Sequence, residues 1–208
     1  MAVVKGSRRE KAEATRRKIL HAAEIEFEER GYHGATIASI AKRAGVATQT
    51  VYFVFHTKAE LISALIDLLV MGEEEPTIPQ DSDWWRAMVA EPEAATALRH
   101  FVRGAAPLFQ RASTISEILR AAALTDEEVR RTFDMHEQLR AVGFREVVDL
   151  LAKKGKLRST RQRATDVLLT TYGDTTYYML SHERGWSHQQ IVDWLCEVLP
   201  DLMLAKSD

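Results

Sequence analysis

Residues Thr36 to Lys58 read TIASIAKRAGVATQTVYFVFHTK, and this stretch decides the fold. Ile37, Ile40 and Ala41 recur at helical spacing, so one face of a short helix is apolar and packs inward. Thr36 stands just before that period, where its hydroxyl can accept from the unpaired amides of the helix start. Gly45 follows the last periodic residue, at a point where a left-handed conformation costs a glycine little. Val46 is then placed to plug the angle between this helix and the next. Thr48 to Val54 spans about two helical turns. It presents Thr48, Gln49, Thr50 and Tyr52 as hydrogen-bonding side chains on a segment short enough to enter a DNA major groove. The expectation is a helix-turn-helix.

The surrounding residues add a second line of reasoning. Phe27, Gly31-Tyr32, Thr36, Ile40-Ala41, Ala44-Gly45-Val46, Thr50-Val51-Tyr52, Phe55, Lys58 and Leu61 stand at fixed spacings over about a quarter of the chain. In these residues the sequence resembles the TetR family of transcriptional regulators. Gln49 departs from the family pattern by replacing a small residue, and Phe53-Val54 by replacing a more polar pair. The resemblance implies that Thr50 and Tyr52 contact phosphates, with Lys58 adding another. Thr48 and Gln49 are then left as base readers, and a glutamine can pair bidentately with adenine. Thr36 and His56 complete the candidate DNA-binding set. For Tyr52 a ring packed on the first helix with only its hydroxyl outside is an equally structural reading.

The formal net charge is only -2, which does not announce a nucleic-acid partner. Its distribution does: residues 1–60 hold 11 Lys and Arg against 7 Asp and Glu, whereas the remainder holds 17 against 23. The basic end is the helix-turn-helix end, as phosphate neutralisation requires. A hydrophobic content of 46% with 28% charged residues is ordinary for a globular protein. No apolar run approaches the roughly 20 residues of a membrane span. Cys196 is the single cysteine, and the N-terminus lacks an apolar signal segment, so a reducing cytoplasm is the expected compartment.

Taken in order, residues 1–14, with Lys5, Arg8, Arg9 and Lys11, read as a polar, mobile basic arm that can reach a minor groove or stay solvated. Helix 1 is expected from about Thr15 to Arg30, with Ile19, Ala23 and Phe27 inside, Glu24, Glu26, Glu28 and Glu29 in water, and Gly31 as its stop. Thr57 can cap a helix running from Lys58 to about Met71, and its amides together with Lys58 can hold a phosphate. The stretch Gly72 to Asp83, with two prolines and five acids, breaks the helical pattern.

Beyond Asp83 strand alternation is absent. Helices are expected from about Pro92 to Phe109, through Ile115 to Ala122, from a Thr125 capping box to about Lys153, from Asp166 to about His182, and from a Ser187 capping box onward. The expected fold is all-α: an N-terminal three-helix helix-turn-helix domain over residues 15–60, joined by a long helix to a C-terminal helical ligand-binding and dimerisation domain within residues 61–208. The last two helices, with Leu168, Tyr172, Thr175 and Met179 on one and Ile191, Trp194, Leu195 and Val198 on the other, can bury these faces in their own domain or against a second subunit. The resemblance implies the second, a four-helix bundle with the partner of a homodimer.

Motifs that carry chemistry are missing. There is no phosphate-binding glycine loop, no paired Cys-x-x-Cys, no His-Glu-x-x-His and no Gly-x-Ser-x-Gly elbow, so an enzyme, a metal or a cofactor is not expected. Aromatic and soft apolar residues are abundant in the C-terminal part. Trp85, Met88, Phe101, Phe109, Phe133, His136 and Tyr172 are candidates for a pocket holding a small-molecule effector, against the plainer reading that they form the core. Phe133 and His136, one helical turn apart, pair an apolar wall with a polar handle. The function expected is a homodimeric repressor released from double-stranded operator DNA by a small apolar or aromatic ligand. An activator or partner-controlled regulator of the same fold stays open, as does a binding protein or enzyme that has lost DNA function.

Overall fold

The structure, a computed structural model, describes residues 8–72 and 77–205. Its helices are α1 (Arg8–Gly34), α2 (Ile37–Ala44), α3 (Thr48–Val54), α4 (Lys58–Met71), α5 (Asp83–Ala90), α6 (Ala94–Ala122), α7 (Glu127–Lys154), α8 (Arg161–Thr171), α9 (Asp174–Tyr178) and α10 (His188–Met203). A 3-10 turn at Pro79–Asp81 and a π-helical turn at Met179–Glu183 complete the regular structure of the described residues. Within them, β-type pairing is confined to the isolated bridge Leu157–Leu204.

The chain divides into two compact units, one made of residues up to Asp67 with Ile118–Thr132, the other of Leu68–Glu117 with Phe133 onward. This corrects the simple division at residues 60 and 61. The helical pattern does break after Met71, but the compact units part inside α4, and the turn between α6 and α7 joins the N-terminal unit. Contacts such as His33 Nε2 to Thr125 Oγ1 at 3.1 Å are the reason.

In the first unit α1 already begins at Arg8, so residues 8–14 are helical where a mobile arm was expected. No glycine or proline interrupts Arg8 to Arg30, Arg9 lies 3.5 Å from Glu13 one turn on, and the Thr15 hydroxyl bonds the Lys11 carbonyl. Lys5 and the rest of the expected arm lie outside the described residues. Gly31 interrupts the helix at φ 66, a conformation that L side chains rarely adopt, as expected of a stop signal, although helical turns resume to Gly34. Ile19, Ala23 and Phe27 form the inner stripe.

Glu26 is the correction on α1: it is buried, not in water. It stands seven residues after Ile19, on the inner stripe. Its carboxylate takes a hydrogen bond from Arg43 Nε of α2 at 2.7 Å and lies 3.3 Å from Arg30 Nε. Hydrogen bonding by Ser39 and Arg43 holds its pKa below the ordinary glutamate value, against the opposing effect of burial.

The second unit is built on the hairpin of α6 and α7. Two helices were expected between Pro92 and Ala122, but α6 is continuous through Pro107. A proline removes one donor, and the apolar face of α6 on either side of it, Phe101 and Val102 before, Ala112 and Ile115 after, is buried and holds the helix together. Asp126, not Thr125, caps α7, its carboxylate accepting from the amides of Glu128 and Val129 at 3.0 and 3.2 Å; Thr125 is engaged with His33 and the Ala122 carbonyl. The single helix expected from Asp166 to His182 starts instead at Arg161 behind a Thr160 cap and is broken at Tyr172 and Gly173. A Cβ on Gly173 would lie 2.6 Å from the Leu169 carbonyl oxygen.

Tyr172 sits at the centre of this unit, 1% exposed, its hydroxyl donating to the Val102 carbonyl at 2.5 Å. Its ring centroid is 4.7 Å from that of Phe109, 5.5 Å from Phe101 and 6.5 Å from Phe144. Trp84 of α5 covers α6 at Gly104, where a Cβ would fall 2.2 Å from the indole Cγ.

Two glycines give opposite expectations. Alanine at Gly143, where a Cβ meets nothing within 4 Å, should stabilise the protein by about 0.5–1 kcal/mol through helix propensity. Alanine at Gly104 carries the same gain but must displace the base of Trp84, and should destabilise by about 1–3 kcal/mol in chemical denaturation. For Glu26→Gln a lower Tm is expected at neutral pH. Because the folded-state pKa of Glu26 is depressed, its contribution is present above the ordinary glutamate value and is lost as pH falls through the folded value. The Tm gap between wild type and variant should therefore narrow with acidification, and a gap independent of pH would contradict this assignment.

Candidate nucleic-acid interface

The α2–α3 pair forms as its residues dictate. Thr36 caps α2, its hydroxyl accepting from the Ser39 amide at 3.0 Å while the Ser39 hydroxyl accepts from the Thr36 amide at 3.1 Å. Gly45 closes the helix at φ 67, and the Val46 amide returns to the Ala41 carbonyl at 3.0 Å. α3 then spans the seven residues Thr48–Val54.

Two side chains fasten α3. Val51 and Phe55 are buried, and the Arg16 guanidinium of α1 lies 4.5 Å from the Phe55 ring centroid. The opposite face stays open. Gln49 is exposed, Tyr52 is 51% exposed and Phe53 is 85% exposed, with Thr48 and Thr50 half-buried beside them. Tyr52 therefore presents much of its ring as well as its hydroxyl to solvent. A face of hydroxyls, an amide and two aromatic rings without a charged residue can read base edges, while charge neutralisation must come from neighbouring helices. Exposed Lys42 on α2 is one such cation.

Lys58 is not available in the manner the resemblance implied. Its ammonium donates to the carbonyls of Tyr32 at 2.7 Å and Ala35 at 3.0 Å, and lies 4.2 Å from the Tyr32 ring centroid. These carbonyls are freed where α1 ends, and a cation there satisfies both the acceptors and the helix dipole. Partial burial lowers the Lys58 pKa, with Asp126 acting in the other direction. Thr57 caps α4, its hydroxyl accepting from the Glu60 amide at 3.1 Å, and Glu60 Oε2 accepts from the His56 amide at 3.1 Å. His56 is exposed beside them.

Sequence reasoning missed Arg43, which holds both Glu26 and, at 2.5 Å, Glu29. The seven-residue spacing of Ile19 and Glu26 was the signal that an acid lay on the inner stripe and needed a partner.

The residues expected to bind a ligand fall into two groups. Met88, Phe101, Phe109 and Tyr172 are buried, and the three aromatic ones pack on one another; Trp85 is half-buried against the same core. Phe133 and His136 are half-buried on α7. A cleft of about 770 Å³ elsewhere in the same unit is lined by residues that include Glu93, Arg99, Lys154 and Lys156, and contains none of the seven. Of the residues expected at a dimer interface, Leu168, Tyr172, Ile191 and Leu195 are buried within their own unit. The break at Gly173 turns Thr175 and Met179 away from the Leu168 and Tyr172 stripe, leaving both exposed, while Trp194 and Val198 are half-buried on α10. Cys196 is buried, and its burial pushes the thiol pKa up. Among the described residues no His, Cys, Asp and Glu cluster could hold a metal, and no helix is long and apolar enough to cross a membrane.

Comparison with known proteins agrees with this geometry. Residues 19–65 match the family profile of the bacterial regulatory proteins, tetR family. Over 61 residues the chain is 46% identical to the HTH-type transcriptional regulator TtgR of Pseudomonas putida, a match that spans 29% of this chain and 29% of that protein. Over 189 residues it is 28% identical to the HTH-type transcriptional repressor BepR of Brucella suis biovar 1, covering 86% of this chain and 88% of that one. The crystal structure of NalD from Pseudomonas aeruginosa, the secondary repressor of the MexAB-OprM multidrug efflux pump, superposes with a TM-score of 0.70 at 21% identity, over 95% of this chain and 100% of that chain. The capped α2, the glycine turn and the anchored α3 all lie within the segment that matches the tetR family profile.

Proposed function

We propose that the protein is a homodimeric transcriptional regulator that represses by occupying operator DNA and leaves it when a small apolar or aromatic effector binds. The observation that carries this reading is the open face of α3, with Gln49, Tyr52 and Phe53 exposed on a helix anchored from behind by Val51 and Phe55. Gln49 and Thr48 are the base readers, and Phe53 offers an apolar surface for a thymine methyl. Thr50 and Tyr52 bond phosphates. Lys58 supports the interface by fixing α4 to the end of α1. The similarity to BepR, a repressor, over most of both chains supports repression.

Two copies of α3 would enter successive major grooves, about 34–36 Å apart or somewhat more. The outer face of α10, with Trp194, Val198 and Leu202 at four-residue spacing, is the surface best suited to pairing, with Met179 and Thr175 beside it. The expected interface set narrows accordingly, because residues committed to the core cannot also meet a partner. An effector controls the spacing of the two α3 helices only if it binds the two spacings with different affinity, and α4 is the unbroken helix that follows the reading helices in the chain.

A mobility-shift titration with DNA flanking the protein's own gene, at several salt concentrations, tests the reading. Binding that weakens steeply with salt is expected, and no shift at low salt would sink it. Tyr52→Phe should cost about 1 kcal/mol per half-site, the worth of one hydrogen bond, while leaving the salt slope and effector affinity of DNA-free protein unchanged. For dimerisation, Val198→Asp should yield monomers in light scattering and lose at least about tenfold in operator affinity, whereas a variant that stays dimeric would move the interface off α10.

A further inference from the structure

The cleft of about 770 Å³ in the second unit lies where α6 starts and where α7 and α10 end, and its charges are poorly matched. Three cations line it, Arg99, Lys154 and Lys156, against two acids, Glu93 and Asp201. Elsewhere in the protein arginines find carboxylates. Arg43 bonds Glu26 and Glu29, Arg140 bonds Glu137 and Asp174, and Arg161 lies 2.9 Å from Asp149. In the cleft the bonds go to carbonyls instead. Arg99 Nε donates to the Cys196 carbonyl at 3.3 Å, and the Lys154 ammonium donates to those of Val89 at 2.8 Å and Glu91 at 2.6 Å. A carbonyl takes up a donor but does not neutralise a charge.

The two acids do not cancel this excess. Glu93 is turned to the start of α6, one oxygen accepting from the Ala95 amide at 2.9 Å and the other from the Thr96 amide at 2.6 Å. Arg99 acts on it electrostatically, but bonding by Thr96 and Ala95 chiefly holds its pKa below the ordinary glutamate value. Asp201 is exposed, and its backbone carbonyl, not its carboxylate, meets Arg158. No carboxylate of the described residues forms an ion pair with Arg99, Lys154 or Lys156. Donors remain as well: among the described residues Arg99 uses one of five and Lys154 two of three. The walls are apolar and fixed. Ala94, Pro200 and Leu204 line them, and the segment after α7 is tied to the end of α10 by the Ala205 amide on the Lys156 carbonyl at 2.9 Å and the Arg158 amide on the Met203 carbonyl at 2.8 Å.

We propose that this cleft is a binding site for a small organic anion, whose carboxylate or phosphate lies in the fork of the Arg99 guanidinium with Lys154 and Lys156 beside it, and whose apolar body lies on Ala94, Pro200 and Leu204. An oxyanion accepts from the remaining donors and supplies the missing charge together, and a guanidinium matches its geometry with two parallel bonds. The volume, about 770 Å³, is within the range of small-molecule sites. This site is separate from the effector control proposed above. It shares no residue with the aromatic group around Tyr172, and it stands whether or not the protein reads DNA.

The test is calorimetric titration of the full-length protein with phenyl phosphate, benzoate and benzyl alcohol. Wild type should bind at least one of the two anions, about tenfold or more tighter than benzyl alcohol, and the tighter of the two identifies the head group. Arg99→Gln should lose about tenfold or more for that anion. Lys156→Glu changes an exposed side chain, so it tests the charge without touching the Cys196 contact, and should lose about as much. Lys153→Glu makes the same charge change at an exposed position of α7 outside the cleft, and should leave the affinity within about twofold. No saturable binding of either anion, equal affinity for benzyl alcohol, an unchanged Arg99→Gln or Lys156→Glu variant, or an equal loss in Lys153→Glu would each overturn the proposal.

Discussion

The ammonium of Lys58 lies where α1 ends and α4 begins, bonded to the carbonyls of Tyr32 and Ala35 and resting on the Tyr32 ring. A chain that must leave one helix, make two short ones and start a fourth exposes several carbonyls and amides within a few ångströms, and no amount of apolar packing satisfies them. The Lys58 ammonium meets two of the carbonyls, at the helix end where the dipole favours a cation, while an amide such as that of Glu60 is met by the Thr57 hydroxyl. With this point fixed, α2 and α3 have a frame to pack into, and the Arg43 pairings with Glu26 and Glu29 tie α2 to the flank of α1. The residue expected to be a phosphate ligand thus fixes the frame in which the helix-turn-helix sits.

Much of that surface was legible in the sequence because the signals were local. A Thr cap, an Ile-Ile-Ala period, a Gly turn and an anchored Val51 and Phe55 each depend on neighbours within a few residues, and each stands where expected. What could not be read were pairings across large sequence separations. Glu26 with Arg43, Lys58 with Tyr32, and Thr125 with His33 join residues whose proximity only the fold creates. Competing local signals also misled. Thr125 and Asp126 both qualify as caps, and His33 decides between them by occupying the threonine. Pro107 is a helix breaker by itself, yet α6 continues through it because residues on both sides are buried along one face.

The C-terminal unit shows why composition is a poor guide to a binding site. Phe101, Phe109, Phe144 and Tyr172 supply the aromatic surface that a pocket would use, but their rings contact one another and the Tyr172 hydroxyl is taken up by Val102. Polar satisfaction discriminates better than aromatic content. Tyr172, buried with its hydroxyl bonded, is core by both burial and hydrogen bonding.

One consequence concerns how such a protein can be divided. The compact unit that holds α1, α2 and α3 also contains Ile118–Thr132, in which Leu119, Ala122, Ala123 and Val129 are buried and Asp126 acts electrostatically on Lys58. The helix-turn-helix unit is therefore not a contiguous fragment. Cleaving the chain after α4 would strip it of a part contributed from some fifty residues further on, so that a graft of this unit onto another domain must carry the α6–α7 turn with it.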